Sequence, residues 1–226
     1  MKDEKGLLEY LTKHLTDERK ELFETIAPLR TRYLTVVLED LFQPHNASAV
    51  MRSCDCFGVQ DLHIIENRNK FAPNKEIAMG SSKWLALYRH KNPKIENTED
   101  CIRKLKAQGY KIVATTPHTN DCTLEELSID QPIALMFGTE KSGLTQNALD
   151  LADEYVRIPM YGFTESFNIS VSAAISLFSL TERIRSSENI DWKLSDEAIT
   201  ALKIQWSRKT LKSADLLEKR FDEDSL

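Results

Sequence analysis

The polar residues of this 226-residue chain best placed for chemistry fall in three short stretches. They are Asn46-Ala-Ser-Ala-Val-Met-Arg52, then Phe137-Gly-Thr-Glu140-Lys-Ser-Gly143-Leu, then Ile158-Pro-Met160 followed by Ser166-Phe-Asn168-Ile-Ser170. About ninety residues separate the first two stretches and about twenty the last two. An arginine on the polar face of a helix offers a planar fork of donors that suits a phosphate. It is a poor base, because its pKa exceeds ~12. Glycine after a buried strand lets backbone approach a ligand closely. The stretch at 137–144 has neither the Gly-x-Gly-x-x-Gly pattern of a dinucleotide site nor the Gly-Lys-Ser/Thr ending of a P-loop. Plainer roles also fit these residues. Asn46 and Asn168 suit helix N-caps, Arg52 suits an ion pair with Asp55 at i+3, and the small residues Ser170, Ser172, Ala173, Ala174 and Ser176 suit close helix packing.

The elements that must position these residues follow from periodicity. Tyr33-Leu-Thr-Val-Val-Leu38 is an apolar, β-branched run and predicts a buried strand. Ala47, Val50, Met51, Cys54 and Phe57 make a helical stripe over about 46–57. Further strands are predicted at 62–65, 85–89, 110–114, 133–137 and 155–158, with helices at 98–108, 145–151 and 168–186. Strands alternating with helices imply an α/β fold, a mostly parallel sheet flanked by helices. In such sheets ligands sit at the carboxyl ends of the strands, which is where the three stretches and Thr115 lie. Helices are also predicted at 5–27, ended by Pro28, and at 195–222. The expected organisation is a helical extension over 1–32, a catalytic α/β domain over 33–186, and a helical extension over 187–226.

Composition narrows the class. The chain is 41% hydrophobic and 29% charged, ordinary for a globular protein. No apolar run reaches the ~20 residues that span a bilayer, and the N-terminus has no signal-peptide pattern, so a cytoplasmic location is expected. Cys54-Asp-Cys56 lacks Cys-x-x-Cys spacing and no second pair follows, so reduced thiols and no metal are expected. A net charge of −5 argues against a nucleic-acid partner, but basic residues cluster locally. Lys203, Arg208, Lys209 and Lys212 have no acid among them, Arg30 and Arg32 precede the first strand, and Arg183 and Arg185 close the long helix.

Together the three stretches resemble the motifs of the SpoU/TrmH branch of the SPOUT RNA methyltransferases, over roughly residues 33–185. The resemblance implies an α/β-knot (a deep trefoil knot) that binds S-adenosyl-L-methionine, SAM, without a metal. It implies 2′-O-methylation of a ribose in tRNA by a homodimer. The target expected from the terminal helices is the D-loop guanosine at position eighteen. The alternatives are rRNA, another tRNA position, or a non-catalytic RNA- or nucleotide-binding module. By position the resemblance assigns catalysis to Arg52, Asn46, Glu140, Ser166 and Asn168. It assigns cofactor contacts to Thr115, Gly138, Ile158, Met160 and Phe167. RNA contacts are expected from Arg30, Arg32, Arg183, Arg185, Lys203, Arg208, Lys209 and Lys212. Glu165 is a departure from the family pattern, which often has an amide there. His45, His63 and His90 read as structural or surface residues, and His118, near the implied cofactor loop, is the histidine closest to a site.

Overall fold

Period-2 alternation sets the layers. The strand Leu34–Glu39 (β1) is buried along its whole length. Leu34, Val36 and Leu38 point into one core and Val37 into another, as the pleat requires. The computed structural model describes residues 3–72, 74–117 and 122–224, so His118 lies outside the described residues. Among the described residues β1 sits within a parallel seven-stranded sheet. Its other strands are Asp61–Ile65 (β2), Ala86–His90 (β3), Lys111–Thr115 (β4), Cys122–Thr123 (β5), Ile133–Phe137 (β6) and Glu154–Arg157 (β7). The order is β3-β2-β1-β6-β4-β7-β5. β5 is too short for any periodicity to announce.

One sheet face is covered by helices Pro44–Cys56 (α3) and Ile169–Ser186 (α7), which pack against each other. Ala47, Val50, Met51 and Cys54 of α3 and Ala173, Leu177, Leu180 and Ile184 of α7 are buried in that core. The other face carries Asn97–Ala107 (α5) and Gln146–Leu151 (α6), with Cys101, Ile102, Leu105 and Ala148 buried. A single helical turn, Lys75–Ala78 (α4), lies between β2 and β3.

The chain divides into two compact units, Thr31–Trp192 and a second made of the segments up to Arg30 and from Lys193. The boundaries differ from those expected, and the two terminal segments form one body. The segment between α7 and Trp192 belongs with the sheet unit: Thr31 Oγ1 donates to the Trp192 carbonyl at 2.7 Å, and the Arg185 guanidinium lies 4.8 Å above the Trp192 ring. In the terminal unit the expected helix over 5–27 is two, Glu4–Thr12 (α1) and Asp17–Ile26 (α2), because Thr16 starts a new helix as an N-cap. The region over 195–222 is likewise split into Asp196–Thr210 (α8) and Ala214–Asp224 (α9). Leu7 and Leu11 of α1 pack on Ile204 of α8, and Phe23 of α2 meets Trp206 at 5.3 Å between ring centroids. Among the described residues no helix is long and apolar enough to cross a membrane.

Candidate active site

Three side chains, one from each stretch, are joined directly. Glu140 Oε1 accepts from Asn46 Nδ2 and from Asn168 Nδ2, both at 2.7 Å. Asn168 Nδ2 also donates to Asn46 Oδ1 at 3.1 Å. Two amides converge on one carboxylate oxygen, and hydrogen bonds to a charged acceptor are the stronger kind. Asn168 does a second job. Its Oδ1 caps α7, accepting from the Ser170 amide at 2.9 Å. Asn46 is not the cap expected of it. Pro44 occupies the first turn, Gln43 precedes it, and Asn46 sits within that turn. This frees its amide for Glu140 and for Gln43 Oε1 at 3.2 Å.

Beside this cluster lies a cleft of about 420 Å³ at the carboxyl ends of β4, β6 and β7, within the usual range for small-molecule sites. Thr115, Gly138, Ile158, Met160 and Phe167 all line it, and so do Glu140 and Ser166. One wall is the loop after β6. Thr139 and Gly143 exchange both backbone hydrogen bonds at 2.9 Å, with Gly143 at φ 67°. A Cβ on Gly138 would stand 2.1 Å from the Gly143 carbonyl carbon and the Leu144 amide nitrogen. Only glycine fits there. Thr115 Oγ1 donates to the Met136 carbonyl at 2.8 Å.

Ser176, on the floor of the cleft, was expected only to ease helix packing. It is 1% exposed, and its hydroxyl has no hydrogen-bond partner among the described residues. A buried hydroxyl without a partner costs ~1–3 kcal/mol, so a polar ligand atom here would be favoured.

Arg52 is exposed on α3, about 9 Å along the helix axis from Asn46 at ~1.5 Å per residue. No hydrogen bond or ion pair engages it among the described residues. The expected Asp55 pair is therefore absent, and the guanidinium is available.

Most of the other basic residues are engaged within the fold. Arg30 is 1% exposed and lies over the Trp206 ring at 5.6 Å, so it has no surface to offer a phosphate. Lys203 is 8% exposed and bound to Glu24. Arg32 Nε pairs with the buried Asp61 at 3.1 Å. Arg183 donates to the Leu124 and Leu127 carbonyls, the latter at 2.8 Å, and Arg185 donates to the Phe57 carbonyl at 3.1 Å. Arg208 is held by both carboxylate oxygens of Glu218, at 2.6 and 3.0 Å. Glu24 and Glu218 thus pair with two of the four cations of a cluster that looked acid-free. Lys209 and Lys212 remain exposed.

The chain is similar to known proteins over most of its length. The chain is 44% identical over 208 residues to a tRNA (guanosine(18)-2′-O)-methyltransferase of Borreliella burgdorferi, covering 92% of this chain and 93% of the relative. A protein of the same name from Thermus thermophilus is 33% identical over 195 residues, covering 86% of this chain and 98% of the relative. Among solved structures, the TrmH/SpoU tRNA modifying enzyme of A. aeolicus superposes with a TM-score of 0.76 at 27% identity, over 86% of this chain and 98% of that one. The SpoU methyltransferase AviRb of Streptomyces viridochromogenes, in complex with the cofactor AdoMet, gives 0.61 at 27% identity, over 71% and 64%. The profile of the SpoU rRNA Methylase family matches residues 33–178, which contain the whole cleft and the Asn46–Glu140–Asn168 cluster, and the chain belongs to that family.

Proposed function

We propose that this chain methylates a ribose 2′-hydroxyl of tRNA with S-adenosylmethionine as donor, and that the guanosine at position eighteen is its target. The observation that carries the reading is the closure of three distant motifs on one cleft. Asn46, Glu140 and Asn168 bind one another at its rim, and a glycine loop forms its wall. The cleft fits the cofactor in three respects: its volume of about 420 Å³, backbone brought close at Gly138, and the unpartnered Ser176 hydroxyl. Thr115, Gly138, Ile158, Met160, Phe167 and Ser176 would hold it. When bound, it supplies an electrophilic methyl group.

The chain's own residues do the rest. Glu140 and the two asparagines lock the first turn of α3, the loop after β6 and the start of α7 into one geometry. Arg52 grips an RNA phosphate and so sets the attacking ribose at the cleft mouth, where Ser166 is exposed. The guanidinium stays protonated, so the hydroxyl's proton leaves through the phosphate or solvent and not through Arg52. The segment after β7 forms the knot of this fold, and the protein works in the cytoplasm as a homodimer. Around α7 the chain exposes Tyr161 (97%), Phe163 (108%), Phe167 (43%), Val171 (43%) and Phe178 (59%). A second copy seated there would cover these apolar side chains.

The test is methyl transfer from labelled SAM to unmodified tRNA transcripts and to rRNA fragments, with the product nucleoside identified by mass spectrometry. 2′-O-methylguanosine at position eighteen is expected. Methylation of the rRNA fragment alone, or at another tRNA position, overturns the target, and no transfer to any RNA overturns the enzyme. Light scattering that gives a monomer at micromolar concentration overturns the dimer.

A further inference from the structure

At the sheet edge away from the cleft, three donor atoms from three elements converge. His63 of β2, His90 at the end of β3 and Cys101 of α5 each place a ligand atom within 4.8 Å of the others. The parallel register aligns His63 with Tyr88 and Ile65 with His90, so both imidazoles project from the same face, the one α5 covers. His63 Nδ1 stands 3.2 Å from His90 Nε2. Tyr88 stacks on the His63 ring at 4.7 Å and 15°, which fixes that ring in place. Cys101 is fully buried and His63 is 8% exposed, whereas His90 is half-buried on an edge strand and gives solvent a way in.

We propose that His63, His90 and Cys101 form a site for one borderline divalent cation, Zn²⁺, with solvent as the fourth ligand. Two imidazoles and a thiolate are the donor set for Zn²⁺ and not for Mg²⁺ or Ca²⁺. Tetrahedral Zn–N and Zn–S bonds of ~2.1 and ~2.3 Å place ligand atoms roughly 3.4–3.6 Å apart. The two nitrogens, 3.2 Å apart, already stand near that separation, and the sulfur, within 4.8 Å of both, needs to close by at most ~1.2 Å. Burial, then the nearby His90, pushes the His63 pKa down to about 4, so its ring is neutral and keeps a lone pair for a metal.

Burial pushes the Cys101 thiol up to about 12, and the charges of Asp100 and Glu39 add to this. On binding, the Cys101 S–H bond breaks, a sulfur–zinc bond forms, and the proton goes to buffer without any change of oxidation state. The carboxylates that oppose a thiolate favour a dication. Lys104, which bears on His90 with Asp100, opposes one, though Asp100 holds its amine at 2.6 Å. Such an ion would tie the two edge strands to α5. No sequence spacing announces the site, because its residues come from separate elements.

The test uses tag-free, full-length, reduced protein stripped with a chelator. Zn²⁺ is followed by calorimetry in two buffers of different ionisation heat, and Co²⁺ by absorption. One ion per chain is expected, with proton release, a thiolate-to-cobalt charge-transfer band and intense tetrahedral d–d bands. Cys101→Ala and His90→Gln should weaken binding on the order of 100-fold and lose the band, while Cys56→Ser, at an exposed thiol elsewhere, keeps both. If Cys101→Ala does not fold, as read by circular dichroism, His90→Gln at the exposed edge decides. Zn²⁺ should also raise the melting temperature of the unsubstituted protein and not that of His90→Gln. No charge-transfer band in the unsubstituted protein, or a band surviving in folded Cys101→Ala or His90→Gln, overturns the site.

Discussion

Arg52 is expected from its motif to be catalytic and Arg30 from local charge to contact RNA, and the structure places the two side chains very differently. Arg52 stands exposed on α3, with nothing engaging it among the described residues. Arg30 is 1% exposed and packed on Trp206. The same division holds for the regions around them. In the sheet unit the polar motif residues meet one another across long sequence separations. In the terminal unit Lys203 and Arg208 meet acids and Arg30 meets an aromatic ring, so these charges are used within that unit. A motif defined by mixed residue types at strand ends predicts a site because the sheet brings strand ends together. A run of like charge predicts only a helix face, and the opposite charge can come from anywhere in the chain.

The largest expected effect is that of Arg52→Ala. Transfer to tRNA should fall by about 100- to 1000-fold, the range seen when one preorganised charge donor is removed, with SAM affinity within about twofold. Arg52→Lys should also be poor, because an ammonium lacks the planar fork. Single-turnover rates and calorimetry on the same variant read both quantities. Equal loss of SAM binding and transfer would move Arg52 into the fold or the cofactor site and break the contrast with Arg30.

Gly138→Ala should lower SAM affinity by about 100-fold or more. Its Cβ would meet backbone at 2.1 Å, and the loop must shift from the cleft wall. A melting temperature that falls while SAM affinity holds would make the glycine structural only.

In the terminal unit Arg30→Ala should destabilise by about 2–3 kcal/mol, through lost packing on Trp206 and a void in its place. Affinity for tRNA, measured on folded protein, should not change. A fall in the salt dependence of tRNA binding with no loss of stability would restore Arg30 as a phosphate ligand.

Acid should act on the buried edge of the sheet. The folded pKa of His63 is pushed down to about 4 from 6.5, so between these values the unfolded chain binds the extra proton. The stability concerned is present above pH 6.5 and is lost as pH falls toward 4, amounting to about 2–3 kcal/mol. Urea midpoints at pH 7 and pH 4.5 should differ by less in His63→Gln, and an equal difference would place the acid sensitivity elsewhere. The smallest effect is Lys212→Ala. This exposed lysine should change tRNA affinity by less than about twofold, since one phosphate contact contributes little. A larger loss would return the terminal unit to RNA recognition.

Much was legible in the chain itself. The β-branched runs and helical stripes located six of the strands and the main helices of the sheet unit, because burial on both faces leaves a strong apolar signal. Glu140 and Ser166 were singled out only by the resemblance of their motifs, whereas Gly138 and Asn168 also meet local requirements, a close backbone approach and a helix cap. Tertiary structure alone decided the rest. Asn46 forgoes a cap to bind Glu140, Ser176 turns an unpartnered hydroxyl into the cleft, Glu24 and Glu218 neutralise Lys203 and Arg208, and His63, His90 and Cys101 meet at one sheet edge. Each depends on which distant segment lies alongside, and neither periodicity nor spacing within one element carries that information.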